Sequence, residues 1–183
     1  MRLRTTRRLL AAAALALVLV ALPALPAHAD TTTTTFTLSA GALSISVPAS
    51  RDLGTTATGS SSLSAQLGAV TVTDARGALG ESWTATVSST DFATGAATAD
   101  ETIAKASVSY WSGAATAVTG TAVRVPGQLL AANAQSLSTS RTAFSASATV
   151  GNNTTTWSPT LVVTIPSAAV AGTYSGTVTH SVA

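Results

Sequence analysis

The chain has no cysteine among its 183 residues. That excludes a disulfide framework, a thiolate metal centre, a thiol nucleophile and a lipid-modified N-terminal cysteine. Charged residues make up only 9%, against about 25% in an average soluble protein. No basic patch able to neutralise a phosphate backbone can be assembled from so few, which argues against a nucleic-acid partner. Histidine occurs twice, at His28 and His180, too few for a zinc site with the usual three protein ligands. No G-x-G-x-x-G, Walker A, G-x-S-x-G or D-x-D-x-D-G spacing appears, so the commonest phosphate cradles, serine elbows and calcium loops are missing. The expectation is a chain without catalytic residues, cofactor or metal.

What is present begins with a segment that reads as a secretory signal over residues 1–29. Arg2, Arg4, Arg7 and Arg8 form a positive n-region, and Leu9 to Leu22 is an apolar run of about 14 residues, short of the roughly 20 that span a membrane. Pro23 and Pro26 break the run, and Ala27-His28-Ala29 matches the small-x-small cleavage pattern. Thr6-Arg7-Arg8-Leu9 is a loose twin-arginine pattern. Cleavage before Asp30 removes four of the nine basic residues and none of the seven acids. Five bases against seven acids leave a net charge of −2, so the basic pI of the whole chain says nothing about partners. The expected product is exported, with no membrane association after signal cleavage.

After a Thr-rich leader, expected to be flexible over residues 30–36, residues 37–183 form the expected domain. Short alternating segments follow one another, separated by Gly, Pro, Asn and Ser, the signature of strands and turns. Leu43, Ile45 and Val47 share one face. So do Val70 and Val72; Trp83, Ala85 and Val87; Ala104, Ala106, Val108 and Tyr110; and Phe144, Ala146, Ala148 and Val150. Trp157, Leu161, Val163 and Ile165 line up, with Pro159 marking an edge or bulge. Tyr174, Val178, His180 and Val182 make the last row. Ser and Thr fill the opposite faces, keeping them wet without charge while suiting extended backbone. Gln128 to Gln135 and Ser167 to Ala171 are the only helical candidates. The pattern predicts an all-β fold, an antiparallel two-sheet β-sandwich open to a Greek-key, immunoglobulin-like topology. The alanine-rich inward rows bury little area each, so the aromatics, Trp83 and Trp157 above all, are expected to anchor the core.

Two segments carry a family resemblance. The first is Val70-Thr71-Val72-Thr73-Asp74-Ala75-Arg76-Gly77, then Glu81-Ser82-Trp83-Thr84-Ala85-Thr86-Val87 and Asp91-Phe92. The second is Leu161-Val162-Val163-Thr164-Ile165-Pro166, then Ala171-Gly172-Thr173-Tyr174-Ser175-Gly176-Thr177-Val178-Thr179. Their order resembles the WxL domain of Gram-positive surface proteins over roughly Leu38 to Ala183. The first W-x-L position holds Trp83-Thr84-Ala85, and the second holds His180-Ser181-Val182. The resemblance implies a secreted, non-catalytic β-sandwich. It would associate non-covalently with cell-wall peptidoglycan or with other surface proteins. Asp74, Arg76, Gly77, Trp83, Gly172, Tyr174 and His180 would serve as motif positions with structural roles.

Residue chemistry adds three expectations. Tyr174, two residues after Gly172, fits a tyrosine corner whose phenol bonds back to the backbone. Asp74 and Arg76 flank a turn and fit an ion pair. Tyr110-Trp111 is the best binding candidate: neighbours on a strand face opposite ways, so if Tyr110 joins the core, Trp111 turns outward to meet a sugar ring or a partner. Asp91, Asp100 and Glu101 are the acids that a glycosidase reading would need, and Lys105 the lysine for an internal cross-link to asparagine. A second functional expectation is an adhesive or structural subunit that assembles by strand addition, using Tyr174 to Val182 and the Thr leader.

Overall fold

The computed structural model describes residues 28–183, so most of the expected signal lies outside the described residues. The chain divides into one unit ending at Thr37 and a second, Leu38–Ala183; in the first, residues 28–37 hold no helix or strand. No helix among the described residues is long and apolar enough to cross a membrane.

The second unit is built from antiparallel strands stacked in two main sheets. The larger contains β1 (Leu43–Ser46), β3 (Val70–Asp74), β4 (Leu79–Ser89), β8 (Ala115–Pro126), β10 (Arg141–Trp157) and β12 (Val178–Val182). The smaller contains β2 (Ser62–Gln66), β7 (Val108–Trp111), β9 (Gln135–Ser136) and β11 (Thr160–Thr164), in the order β2-β11-β7-β9. A ribbon of β5 (Phe92–Ala93) and β6 (Thr102–Ile103) stands apart. β10 is the spine of the larger sheet. It pairs with β4 through its first part, with β3 through its last five residues, and with β8 along most of its length. β1 flanks β3 and β12 flanks β4.

The inward rows meet between the sheets. Val70, Val72, Trp83, Ala85, Val87, Phe144, Ala146 and Trp157 from the larger sheet face Val108, Tyr110, Leu161 and Val163 from the smaller, all of them buried. Trp157 and Phe144 stack with ring centroids 5.0 Å apart. The two aromatics thereby fill volume that the neighbouring alanines leave open, and each brings the largest apolar area available to a side chain.

Five expected rows are corrected. Val47 lies beyond the end of β1 and is exposed, and Tyr174 lies outside β12. In Phe144–Val150 the alternation fails after Ala146: Ala148 takes φ 50°, Thr149 turns inward, and Val150 is left exposed. The strand bulges there against both neighbours. The row Trp157–Ile165 belongs to two sheets, because the chain crosses from β10 to β11 at Ser158-Pro159, where proline's missing N–H costs no ladder bond. In Ala104–Tyr110 only Val108–Trp111 is strand; Lys105–Ser107 is a single 3-10 turn. One 3-10 turn, Ala131–Asn133, forms within Gln128–Gln135, while Ser167–Ala171 holds a turn.

Candidate functional site

The motif residues turn out to be fasteners. Asp74, at the end of β3, is 2% exposed. Its carboxylate accepts the Arg76 backbone N–H at 3.2 Å and the Arg76 guanidinium at 2.9 and 3.0 Å. Asn153, its cross-strand partner, donates to it at 3.4 Å. Arg76 continues to the Ser82 carbonyl at 3.0 Å and lies 3.5 Å from Glu81, so the pair ties the end of β3 to the start of β4. The Arg76 hydrogen bonds hold the Asp74 carboxyl below its ordinary range, against a burial that pushes the other way. Gly77 takes φ 66°, a left-handed turn that glycine adopts without strain. Trp83 is a core residue. The Tyr174 phenol donates to the Val170 carbonyl at 3.0 Å, four residues upstream, with the Asp100 carbonyl at 3.3 Å. Gly172 is needed beside it, since a Cβ there would stand 2.5 Å from the Thr94 hydroxyl.

Of the acids of the alternative chemistries, Asp91 and Glu101 are likewise taken up by turns, while Asp100 is exposed. Asp91 accepts the Lys105 backbone N–H at 2.7 Å. Glu101 accepts the Thr98 N–H and hydroxyl at 3.0 and 2.8 Å, a reciprocal cap that lowers its pKa. The Lys105 side chain is exposed, not buried beside an asparagine. Among the described residues no group of three or more His, Cys, Asp or Glu is placed to hold a metal ion.

Two features remain as sites. The first is a groove of about 1010 Å³ with walls that include Leu63, Leu67, Phe92, Ile103, Val163 and Val178. His180 also lines it. The Trp157 indole N–H donates to the Tyr110 oxygen at 3.0 Å, and the Tyr110 oxygen lies 3.2 Å from His180 Nε2. An indole only donates, so the phenol hydrogen is free to point to His180. The chain Trp157→Tyr110→His180 then requires a neutral imidazole with Nε2 as acceptor. Burial favours that state: it lowers the His180 pKa from 6.5 to about 4 and pushes the Tyr110 phenol up. No carboxylate hydrogen-bonds to His180, so the group can accept a hydrogen bond but has no partner to make it a strong base.

The second feature is the outer face of the smaller sheet. Tyr110 is fully buried, whereas Trp111, the next residue, is half-buried on the opposite face. Register places Thr160 opposite Trp111 and Gln66 opposite Thr160; Val162 lies between Ser109 and Ser64. The Trp111 ring lies over the backbone turn at Gly113, where an added Cβ would come within 3.5 Å. The result is one aromatic on a sheet face of hydroxyl and amide groups around Val162. Sequence alternation separates Tyr110 from Trp111 in advance. It gives no signal for Thr160, opposite Trp111, nor for Gln66 and Ser64 on the next strand, which are some 45 residues away in the chain.

The chain matches no family model, no curated protein and no solved structure.

Proposed function

We propose that this protein is an exported, non-catalytic surface module that associates non-covalently with cell-wall glycan, peptidoglycan in particular, or with wall proteins. The observation behind the reading is Trp111, presented on a mostly polar sheet face next to Thr160 and Ser109, with Gln66 and Ser64 one strand further on and Arg51 at the Gln66 carbonyl. An indole face stacks on the C–H face of a sugar ring, and neighbouring hydroxyl and amide groups can replace the hydration of the sugar's own hydroxyls. The strand residues of the face are uncharged, with Arg51 at its rim, which suits a ligand recognised by shape and hydrogen bonds. The WxL-like order of motifs and the signal-like N-terminus support the same reading, with Asp74, Arg76, Gly77, Trp83, Gly172, Tyr174 and His180 holding the scaffold.

Pelleting the protein with purified peptidoglycan tests this. The wild-type protein is expected in the pellet above a no-glycan control. Trp111→Ala is expected to weaken retention by about tenfold or more, the scale of losing an aromatic anchor. Equal retention of the two proteins would remove the Trp111 face from the reading, and no retention of either would remove peptidoglycan as the ligand.

A further inference from the structure

We propose that two copies of this protein join edge to edge through β8, antiparallel, with Gly120 of each copy at the two-fold axis. The surface is distinct from the Trp111 face and the proposal does not depend on it.

β8 is the longest strand in the larger sheet with a partner on one side only. It pairs with β10, and among the described residues its other edge pairs with nothing. Native edge strands are normally blunted by charge, by proline or by being short. β8 has 12 residues, no acid, one base, and a proline only at its last position. The single charge is turned back onto its own strand and onto β10. The Arg124 guanidinium donates to the Thr119 carbonyl at 2.6 Å, to the Gly120 and Ala122 carbonyls at 3.2 and 3.3 Å, and to the Thr155 hydroxyl at 2.8 Å. Three apolar side chains on this edge stay open to solvent: Val118 at 51%, Val123 at 58% and Val125 at 53%.

The occupant is set by the strand's own sequence. Around Gly120 it reads nearly the same in both directions: Ala117-Val118-Thr119-Gly120-Thr121-Ala122-Val123. Antiparallel pairing about Gly120 sets Thr119 against Thr121 of the second copy, Val118 against Ala122, and Ala117 against Val123. Thr pairs with Thr and apolar with apolar, and Arg124 meets Thr116 rather than another arginine. The faces agree as well. Val118 lies opposite buried Thr155, and Ala122 packs against the core, so both face inward. Ala117 lies opposite Thr156 and Val123 opposite Ser147, both on the outer face. Residues directly opposite each other on antiparallel strands must share a face, and this register satisfies that on both sides of the axis. Gly120 fits the axis because it kinks the strand, with φ 66° and no room for a Cβ against the Asn152 backbone. The two halves of the ladder, 116–118 and 122–124, lie clear of the kink and end before Ala115, which a shift in the β10 register turns toward the core.

Light scattering over a concentration series reads the outcome. The wild-type protein is expected to move from one-chain to two-chain mass as concentration rises. A117K/V123K places two lysines opposite each other on each side of the axis and is expected to stay single-chain at every concentration. A117K/V123E turns the same contacts into opposite-charge pairs and is expected to restore the two-chain species. Circular dichroism checks that each variant keeps its β signal. Should a charged variant fail to fold, mixing T119C with T121C in this cysteine-free chain is expected to give a disulfide-linked pair in higher yield than either alone. A wild-type protein of one-chain mass throughout overturns the proposal. So does dimerisation that survives A117K/V123K, which would place the contact elsewhere, for example at a strand donated by the Thr leader. An equal cross-linking yield from the mixture and the single variants overturns the register.

Discussion

His180 is the residue whose ionisation is tied most closely to the packing. It is held neutral by burial and accepts the Tyr110 hydrogen at Nε2. Protonation would remove that acceptor and place a charge against Tyr110 and Trp157, whose rings lie 5.6 and 6.5 Å from its own. The folded-state pKa of about 4 lies below the ordinary value of 6.5. Below pH 6.5 the unfolded chain therefore takes up a proton that the folded chain refuses. The stabilisation is full above pH 6.5, falls as pH drops, and is gone below pH 4. Its ceiling is about 3 kcal/mol, reduced by the solvent contact that His180 keeps. Asp74 adds a second loss at lower pH, because its depressed pKa must be overcome by acid. Urea midpoints at about pH 7.5, 5.5 and 4.5 are expected to fall steadily for the wild type and to flatten for His180→Gln. An unchanged slope in that variant would show that other groups carry the dependence. None of this can be read from the spacing of the chain, since Tyr110, Trp157 and His180 come from three strands in both sheets. What the sequence does show is His180's place on an inward row.

At the scale of elements, the rows that were legible are those with a large side chain turned inward every second residue. Trp83-x-Ala85-x-Val87 on β4 and Val70-x-Val72 on β3 fall where alternation puts them. β2 and β8 were not legible. Ser62–Gln66 offers only Leu63 as a large apolar residue, and β8 mixes Ala, Thr and Val on both faces because most of it is exposed. Without one wet and one dry face, period-2 contrast disappears from the sequence. The break in β10 has a different cause: a bulge adds residues without changing composition, so Phe144-x-Ala146-x-Ala148 looks continuous while the backbone reverses its faces. Ala148 at the bulge has φ 50°, where a Cβ is disfavoured. It is also exposed, so its methyl contributes little packing. Ala148→Gly is expected to stabilise the fold by about 0.5–1 kcal/mol, with the relieved strain exceeding the added freedom of the unfolded chain. A fall in the thermal midpoint of that variant would mean that the left-handed conformation costs nothing at this site.

The whole molecule is held by burial rather than by charge. Among the described residues the ion pairs centre on Arg76, with Asp74 on one side and Glu81 on the other, and residues 30–183 carry five bases against seven acids. Self-repulsion is therefore slight, and few surface pairs exist for salt to weaken. The Asp74 pair is shielded because its carboxylate is buried. The Arg76–Glu81 contact is open to solvent and, like most exposed pairs, contributes about 0–1 kcal/mol. The opposing weight lies in Trp83, Tyr110, Phe144 and Trp157, all buried between the sheets, each removing about 150–250 Å² from water. Raising sodium chloride from about 0.05 to 0.5 M shortens the screening length to a few ångströms. The thermal midpoint is expected to move by less than about 3 °C over that range, equivalent to about 1 kcal/mol for a domain of this size. A marked fall in the midpoint over the same range would shift the source of stability from the aromatic core to the Arg76 contacts. In that case Arg76→Ala should abolish the salt response, and the same titration on that variant would show it.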